Sequence, residues 1–189
     1  MTHVNTAIKK YKNEKEEADI IKEVFMNYIK ITPLDVANGP GCRVVLWTAG
    51  CSHHCKECHN PDTWDPCVGQ NFDEKAMEEL IQKMSVPYID GITLSGGDPF
   101  YIGNRDKIGE ICKVLKEKFP NKTIWCYTGY VYDQVKDLEA MKYIDVLVDG
   151  PFIIEKKNLM LLFRGSENQR LIDMNKTRQS GEVVLYNND

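Results

Sequence analysis

The chain beyond residue 40 alternates between short strand-like runs and amphipathic helical patterns, and this alternation restricts the fold more than any other feature. Runs rich in β-branched and aromatic residues predict strands at 42–47, 91–95, 123–127 and 143–148. Apolar residues at helical spacing predict helices at 77–84, 108–119 and 131–141, the first with Asp73 as its N-cap. Because strands that alternate with single helices pair in parallel through right-handed crossovers, the sequence predicts an α/β fold with a parallel sheet.

The length of the chain limits which parallel α/β folds remain. Two more strand-like runs, 170–174 and 182–186, bring the predicted sheet to about four to six strands. A closed eightfold β/α barrel typically needs about 250 residues, whereas this chain has 189. A partial barrel or an open doubly wound sheet remains, and both place functional loops at the carboxyl ends of the strands.

The first 25 residues differ in composition from the rest. They contain five lysines and five acidic residues with few apolar positions. We predict a charged, helical N-terminal extension at 1–25 and one domain at 26–189.

The overall composition excludes several classes of protein. Hydrophobic residues make up 42% and charged residues 28%, as in ordinary globular domains. The 24 basic and 28 acidic residues give a net charge of −4, so there is no basic footprint for nucleic acid or an anionic membrane. The sequence has no run of about 18 apolar residues that would span a bilayer. Its start is polar and lacks the apolar stretch of a signal peptide, so we expect a cytoplasmic protein.

Three of the seven cysteines lie within eight residues, at Cys51, Cys55 and Cys58. Thiolates are soft ligands that suit zinc or an iron–sulfur cluster. A structural zinc site usually takes four ligands from two separated pairs, and no second pair follows here. Three thiolates on a cluster of four irons leave one iron without a protein ligand, and that iron would be free to bind a substrate.

The segments around the cysteines resemble a known family when they are taken in order along the chain. They are Met26–Tyr28, Asn38–Gly41, Cys58–Asn60 with Thr63–Trp64, Leu94–Pro99, Trp125 with Tyr127–Tyr130, Val148–Gly150 and Arg164–Gln169. Together they resemble the radical S-adenosylmethionine (SAM) superfamily, and within it the activating proteins of anaerobic (class III) ribonucleoside-triphosphate reductase. Three positions depart from the superfamily: Glu57 replaces an aromatic residue, Asp98 a glutamate and Pro151 a lysine.

The resemblance implies a cofactor set and a reaction. A 4Fe-4S cluster would be held by Cys51, Cys55 and Cys58, and SAM would be bound at its open iron. The implied SAM-binding residues are Glu57, Cys58, His59, Gly96, Gly97, Asp98, Thr128 and Asp149. The implied activity is that of an oxidoreductase that activates a glycyl-radical enzyme, with no catalytic residue beyond the cluster and SAM. It would cleave SAM reductively and take a hydrogen atom from a glycine of the reductase.

The resemblance also implies two partners. One is the large subunit of anaerobic ribonucleoside-triphosphate reductase, which would carry the glycyl radical. The other is an electron donor of the flavodoxin or ferredoxin type, because cysteine-ligated clusters have potentials from about −700 to +450 mV and SAM cleavage needs the low end.

Other residues have simpler interpretations. Cys42, Cys112 and Cys126 are expected to be inert packing thiols, and Cys67 is ambiguous. His53 and His54 are expected to be polar residues of the loop rather than metal ligands. Two alternative functions remain at this stage: an activase of the pyruvate formate-lyase type, and a zinc-binding module without catalysis.

Overall fold

Seven strands form one sheet in the computed structural model, which describes residues 25–187. In chain order the strands are β1 Asn27–Asp35, β2 Arg43–Thr48, β3 Gln70–Asn71, β4 Gly91–Gly96, β5 Thr123–Tyr127, β6 Val146–Asp149 and β7 Arg170–Asp173. Their order across the sheet is β3-β1-β2-β4-β5-β6-β7. The sheet is open, with β3 at one edge and β7 at the other.

The predicted α/β class is confirmed, but the sheet is mixed and has seven strands among residues 25–187, whereas a parallel sheet of about four to six strands was predicted. Strands β2, β4, β5 and β6 are parallel, as the helical crossovers require. Strands β1, β3 and β7 pair antiparallel at the edges. The sequence did not indicate β1, in which Tyr28 and Ile31 are buried but the intervening residues do not alternate cleanly and Pro33 interrupts the run.

Among residues 25–187, four α-helices accompany the sheet: α1 Glu74–Met84, α2 Arg105–Lys118, α3 Tyr132–Val135 and α4 Met174–Ser180. Helix α1 begins as predicted, since the Asp73 carboxylate accepts a hydrogen bond from the Ala76 N–H at 3.0 Å. The predicted helix at 131–141 is instead α3 followed by a 3-10 turn at Glu139–Lys142. The predicted strand at 182–186 is a single bridge between Leu185 and Ile172.

The helices cover one face of the sheet and form the main core with it. Leu80 of α1 and Ile111 and Leu115 of α2 pack in one cluster with Leu46 and Leu94 of the central strands. Side chains that point to the opposite face of β5 and β6, Trp125 and Val148 among them, form a smaller cluster. The sheet therefore has a helix-covered face and a second face that remains available for loops.

The predicted N-terminal helix lies outside the described residues, except for Phe25. No helix in residues 25–187 combines the length and the apolar character needed to cross a membrane.

Candidate functional site

A cavity of about 230 Å³ lies at the carboxyl ends of the parallel strands. One wall is the loop that follows β2, with the cysteine triad Cys51, Cys55 and Cys58. The opposite wall is formed by the ends of β4 and β5, with Gly96 and Gly97 on the first and Thr128 on the second. The site therefore occupies the position that parallel α/β folds use for ligand binding.

The cysteine loop is fixed by its own backbone. The Gly50 N–H donates to the Thr63 carbonyl at 2.8 Å, and the Cys51 N–H donates to the Trp64 carbonyl at 3.0 Å. His54 and Glu57 adopt left-handed backbone conformations, with φ of 48° and 57°. Non-glycine residues rarely adopt this conformation, and here it occurs twice in the stretch of chain between Cys51 and Cys58.

Backbone N–H groups point at the three sulfurs. The Asn60 N–H donates to Cys58 Sγ at 3.4 Å. Burial raises the pKa of Cys51, and the N–H groups of His53 and His54 partly offset that effect. Burial likewise raises the pKa of Cys55, partly offset by the N–H of Phe152.

The triad has the chemistry of iron–sulfur ligands. All three cysteines are free thiols, and deprotonated thiolates are the ligands of Fe–S clusters. The N–H donors would stabilise the negative sulfurs, which is one of the ways a protein sets the potential of such a cluster. Among residues 25–187, no group of three histidine, cysteine or acidic side chains is already arranged around a single metal position.

Gly96 and Gly97 line the cavity as the sequence led us to expect, but Gly97 has a second reason to lack a side chain. A Cβ atom on Gly97 would lie 2.5 Å from the Gly50 carbonyl oxygen and 2.8 Å from that of Thr63. The cysteine loop therefore packs directly on Gly97. A larger residue there would displace the loop as well as any ligand.

Asp98 differs from the expectation of a carboxylate free to bind a ligand ammonium group. Its side chain is 1% exposed. It accepts hydrogen bonds from Thr128 Oγ1 at 2.9 Å, from the Gly129 N–H at 2.9 Å and from His53 Nε2 at 2.8 Å. The hydroxyl of Thr128 is likewise engaged, since it donates to Asp98 and accepts from the Tyr130 N–H at 3.2 Å.

Asp149 lies outside the cavity lining, unlike the other predicted SAM-binding residues. Its carboxylate is 1% exposed and pairs with Arg170. It also accepts from the Tyr132 N–H at 2.8 Å. Asp149 therefore joins β6, β7 and the start of α3, and its oxygens are occupied by protein groups.

Glu57 and His59 flank the third cysteine and line the cavity with exposed side chains. Glu57 Oε2 lies 4.0 Å from Lys157 Nζ. The ring of His59 lies 6.4 Å from that of Phe152. Both residues are at the rim.

Sequence reasoning missed part of the site. Phe152 donates its N–H toward Cys55 and lines the cavity, and Gln169 lines it too. Gln169 belongs to the Arg164–Gln169 segment, which contributed to the family resemblance but whose residues suggested no chemical role. His53 was expected to be a polar residue of the loop, and its hydrogen bond to Asp98 could not be inferred because the two residues are 45 positions apart.

The remaining cysteines are apart from the cavity. Cys112 and Cys126 are fully buried, and burial raises the pKa of Cys112 to about 12 and that of Cys126 well above its ordinary value. This burial is what the expectation of packing thiols requires. Cys42 is half-buried and Cys67 is exposed.

Comparison with known proteins identifies relatives of this chain. The family described as "4Fe-4S single cluster domain" matches residues 37–172. The anaerobic ribonucleoside-triphosphate reductase-activating protein of Enterobacteria phage T4 is 48% identical over 148 residues, which is 77% of this chain and 93% of that protein. The proteins of the same name from Pasteurella multocida and Escherichia coli K12 are each 38% identical, over 76% of this chain and 95% and 96% of theirs. The chain therefore belongs to the family of anaerobic ribonucleoside-triphosphate reductase-activating proteins.

Proposed function

We propose that this chain is a radical SAM activase that creates the glycyl radical of anaerobic ribonucleoside-triphosphate reductase. The cysteine triad would hold a 4Fe-4S cluster, and SAM would bind beside it in the same cavity. When bound, the cluster would supply the electron for reductive cleavage of SAM, and that chemistry would serve to remove a hydrogen atom from a glycine of the reductase. The proposal makes the chain an oxidoreductase with the reductase as its protein substrate.

The single observation that carries the proposal is the convergence of the triad and Gly96–Gly97 on one cavity. The first group comes from the loop after β2 and the second from the end of β4, more than 35 positions later. A structural metal site would need only the loop. A cavity that brings thiols against a glycine-lined strand end is the arrangement needed to hold a cluster and a second ligand together.

The residues of the chain would divide the work at this cavity. Gly96 and Gly97 would leave the strand end open to the amino and carboxylate groups of SAM, with Glu57, Cys58 and His59 on the opposite rim. Thr128 would border the ligand while its hydroxyl stays bonded to Asp98. We leave Asp149 out of this set because Arg170 and Tyr132 occupy its carboxylate. The walls would limit the access of water and fix the orientation of the ligands, which is the contribution a protein makes to cofactor chemistry.

The open sheet suits a protein substrate. We propose that residues 26–189 form a partial β/α barrel of the radical SAM type. Because the sheet does not close on itself, a flexible segment carrying a glycine could reach the cavity from the side. A reacting carbon must come within about 3–3.5 Å of the abstracting atom, and a glycine Cα has no Cβ to hinder that approach. An electron donor of the flavodoxin or ferredoxin type would dock transiently to reduce the cluster.

Anaerobic reconstitution with iron and sulfide tests the proposal. We expect a brown protein that, after reduction, converts SAM to methionine and 5′-deoxyadenosine. Colourless protein that takes up zinc instead would support the binding-module alternative. A brown protein that leaves SAM intact would separate cluster binding from the proposed chemistry and contradict the activase assignment.

A further inference from the structure

We infer that His53 is a positioning residue, which holds the cysteine loop in place through the buried carboxylate of Asp98. This inference rests on the proposed function only in that the loop is taken to carry a cluster. It concerns a contact between the loop and the strand ends, and it assigns to Asp98 the task of fixing protein segments.

The carboxylate of Asp98 is saturated by groups of the protein. Its Oδ1 accepts from the Phe100 N–H at 2.8 Å and from the Thr128 hydroxyl at 2.9 Å. Its Oδ2 accepts from the Gly129 N–H at 2.9 Å and from His53 Nε2 at 2.8 Å. An ionised carboxylate has about four lone-pair sites, and four donors fill them. No acceptor capacity is left for a ligand.

Three separate segments meet at this carboxylate. Asp98 follows β4, Thr128 and Gly129 follow β5, and His53 belongs to the loop after β2. The first two segments are already joined by strand pairing, from Gly91 with Thr123 to Leu94 with Cys126. His53 is therefore the member that attaches the cysteine loop to a rigid sheet edge.

The ring of His53 packs against the end of β5. The imidazole is 18% exposed and lies edge-on to the Tyr130 ring, with centroids 4.5 Å apart. A Cβ on Gly129 would lie 2.4 Å from the ring of His53, so a glycine there leaves the room that the imidazole needs. The neighbouring Ser52 hydroxyl is 3.3 Å from the Tyr130 hydroxyl, which adds a second contact between the loop and the end of β5.

Fixing His53 fixes the sulfurs on either side. It lies two residues from Cys51 and two from Cys55, and its backbone N–H points at Cys51 Sγ. His54 provides the contrast, because its side chain is exposed and its ring lies 4.7 Å from that of Trp64. Residues that orient the ligands of a metal site typically affect metal affinity by about 10–100-fold.

Four full-length proteins test the inference: wild type, His53→Phe, His53→Gln and His54→Asn. Phenylalanine keeps a ring without a donor, whereas glutamine places an amide N–H the same number of bonds from the backbone. Asparagine at 54 removes the other imidazole and tolerates the left-handed backbone. Each is reconstituted anaerobically, and we measure the rate at which an iron chelator removes iron and the electron paramagnetic resonance spectrum of the reduced cluster with and without SAM.

We expect His53→Phe to lose iron about tenfold faster than wild type and to show an altered spectrum. His53→Gln should recover most of the wild-type rate, and His54→Asn should match wild type. Equal rates for His53→Phe and wild type, or failure of His53→Gln to recover in a protein that unfolds at the wild-type temperature, would overturn the inference. If the wild type itself binds no cluster, both the inference and the proposed function fail. A stable wild-type cluster that is indifferent to His53 removes the inference alone.

Discussion

The two ends of the parallel strands each bury a charged side chain, and they use it differently. At the carboxyl end, Asp98 accepts hydrogen bonds from the loop after β2 and from the end of β5, and it borders an open cavity. At the amino end, Arg43 of β2 is 0% exposed and forms hydrogen bonds with groups of β4 and β5. At the carboxyl end, loops surround an open cavity. At the amino end, the side chain of Arg43 fills the corresponding space.

At the amino end, neutral oxygens of the neighbouring strands accept the hydrogen bonds of Arg43. Arg43 Nε donates to Thr93 Oγ1 at 2.8 Å, and its Nη2 donates to the Ile92 carbonyl at 2.6 Å. Its Nη1 donates to Thr123 Oγ1 at 3.0 Å, and the guanidinium lies 5.5 Å from the centre of the Trp125 ring. Burial lowers the pKa of Arg43 to about 10, so the group stays charged at neutral pH.

The difference teaches which end tolerates what change. The hydrogen bonds at the amino end join β2, β4 and β5 and do not border the cavity. Their loss should therefore lower the free energy of unfolding without affecting ligand binding. Interactions at the carboxyl end hold a loop whose purpose is to present sulfurs, so their loss should cost the cofactor first. This division matches β/α barrels, in which the amino ends of the strands serve stability and the carboxyl ends serve function.

Replacing one cysteine of the triad should have the largest effect. We expect Cys55→Ala to abolish the brown chromophore and SAM cleavage, while the free energy of unfolding of the apo-protein changes by less than about 1 kcal/mol. Cys112→Ala is the control, because that thiol is buried in the helix-covered core and should leave both properties intact. 5′-Deoxyadenosine formed at the wild-type rate by Cys55→Ala would contradict the ligand assignment.

Replacing Arg43 should have the opposite profile. Arg43→Ala leaves buried oxygens of Thr93, Ile92 and Thr123 without donors, and we expect the free energy of unfolding to fall by about 3 kcal/mol. The folded fraction should still bind iron and SAM as the wild type does. Lys30→Ala is the matched control, since this exposed cation over Trp47 should contribute at most about 1 kcal/mol. A loss of SAM affinity in folded Arg43→Ala would break the separation of the two ends.

A small effect at the amino end concerns Asp173, which caps α4. Burial raises the pKa of Asp173, but the backbone N–H and the ammonium of Lys176 outweigh it, so the pKa lies below its ordinary value. The charged form therefore stabilises the fold above about pH 4, and this contribution is lost as the pH falls through the lowered pKa.

Urea unfolding between about pH 6 and 3 measures this contribution. Asparagine also caps helices, so Asp173→Asn should unfold with less pH dependence than wild type, by under about 1 kcal/mol. Iron binding at neutral pH should not change. Identical pH profiles for the two proteins would contradict the role of the charge.

The sequence was most informative where local patterns determine structure. The helical spacing of Leu80 and Met84, the Asp73 cap and the β-branched run of β5 all predicted their elements, because each depends on neighbours within a few positions. The prediction of one helix at 131–141 was wrong, because the chain forms the short helix α3 there and then a separate 3-10 turn. Strand β1 was missed because its buried and exposed residues do not alternate cleanly and Pro33 interrupts the run.

The site shows the same limit. Spacing alone brought Cys51, Cys55 and Cys58 together, and the Gly96–Gly97 pair marked the facing wall. Neither the engagement of Asp98 by His53 nor that of Asp149 by Arg170 follows from sequence, because each pair joins positions 21 or more apart. The difference between a free carboxylate and a saturated one is a property of the packed structure.

The most direct test of the account is electron paramagnetic resonance on the anaerobic ribonucleoside-triphosphate reductase from the same source, mixed with this protein after its cluster has been reduced and SAM added. We predict a glycyl-radical doublet on the reductase, absent with Cys55→Ala and absent when the target glycine is changed to alanine. A doublet on pyruvate formate-lyase but not on the reductase, or no doublet on either with an intact reduced cluster, would contradict the central claim.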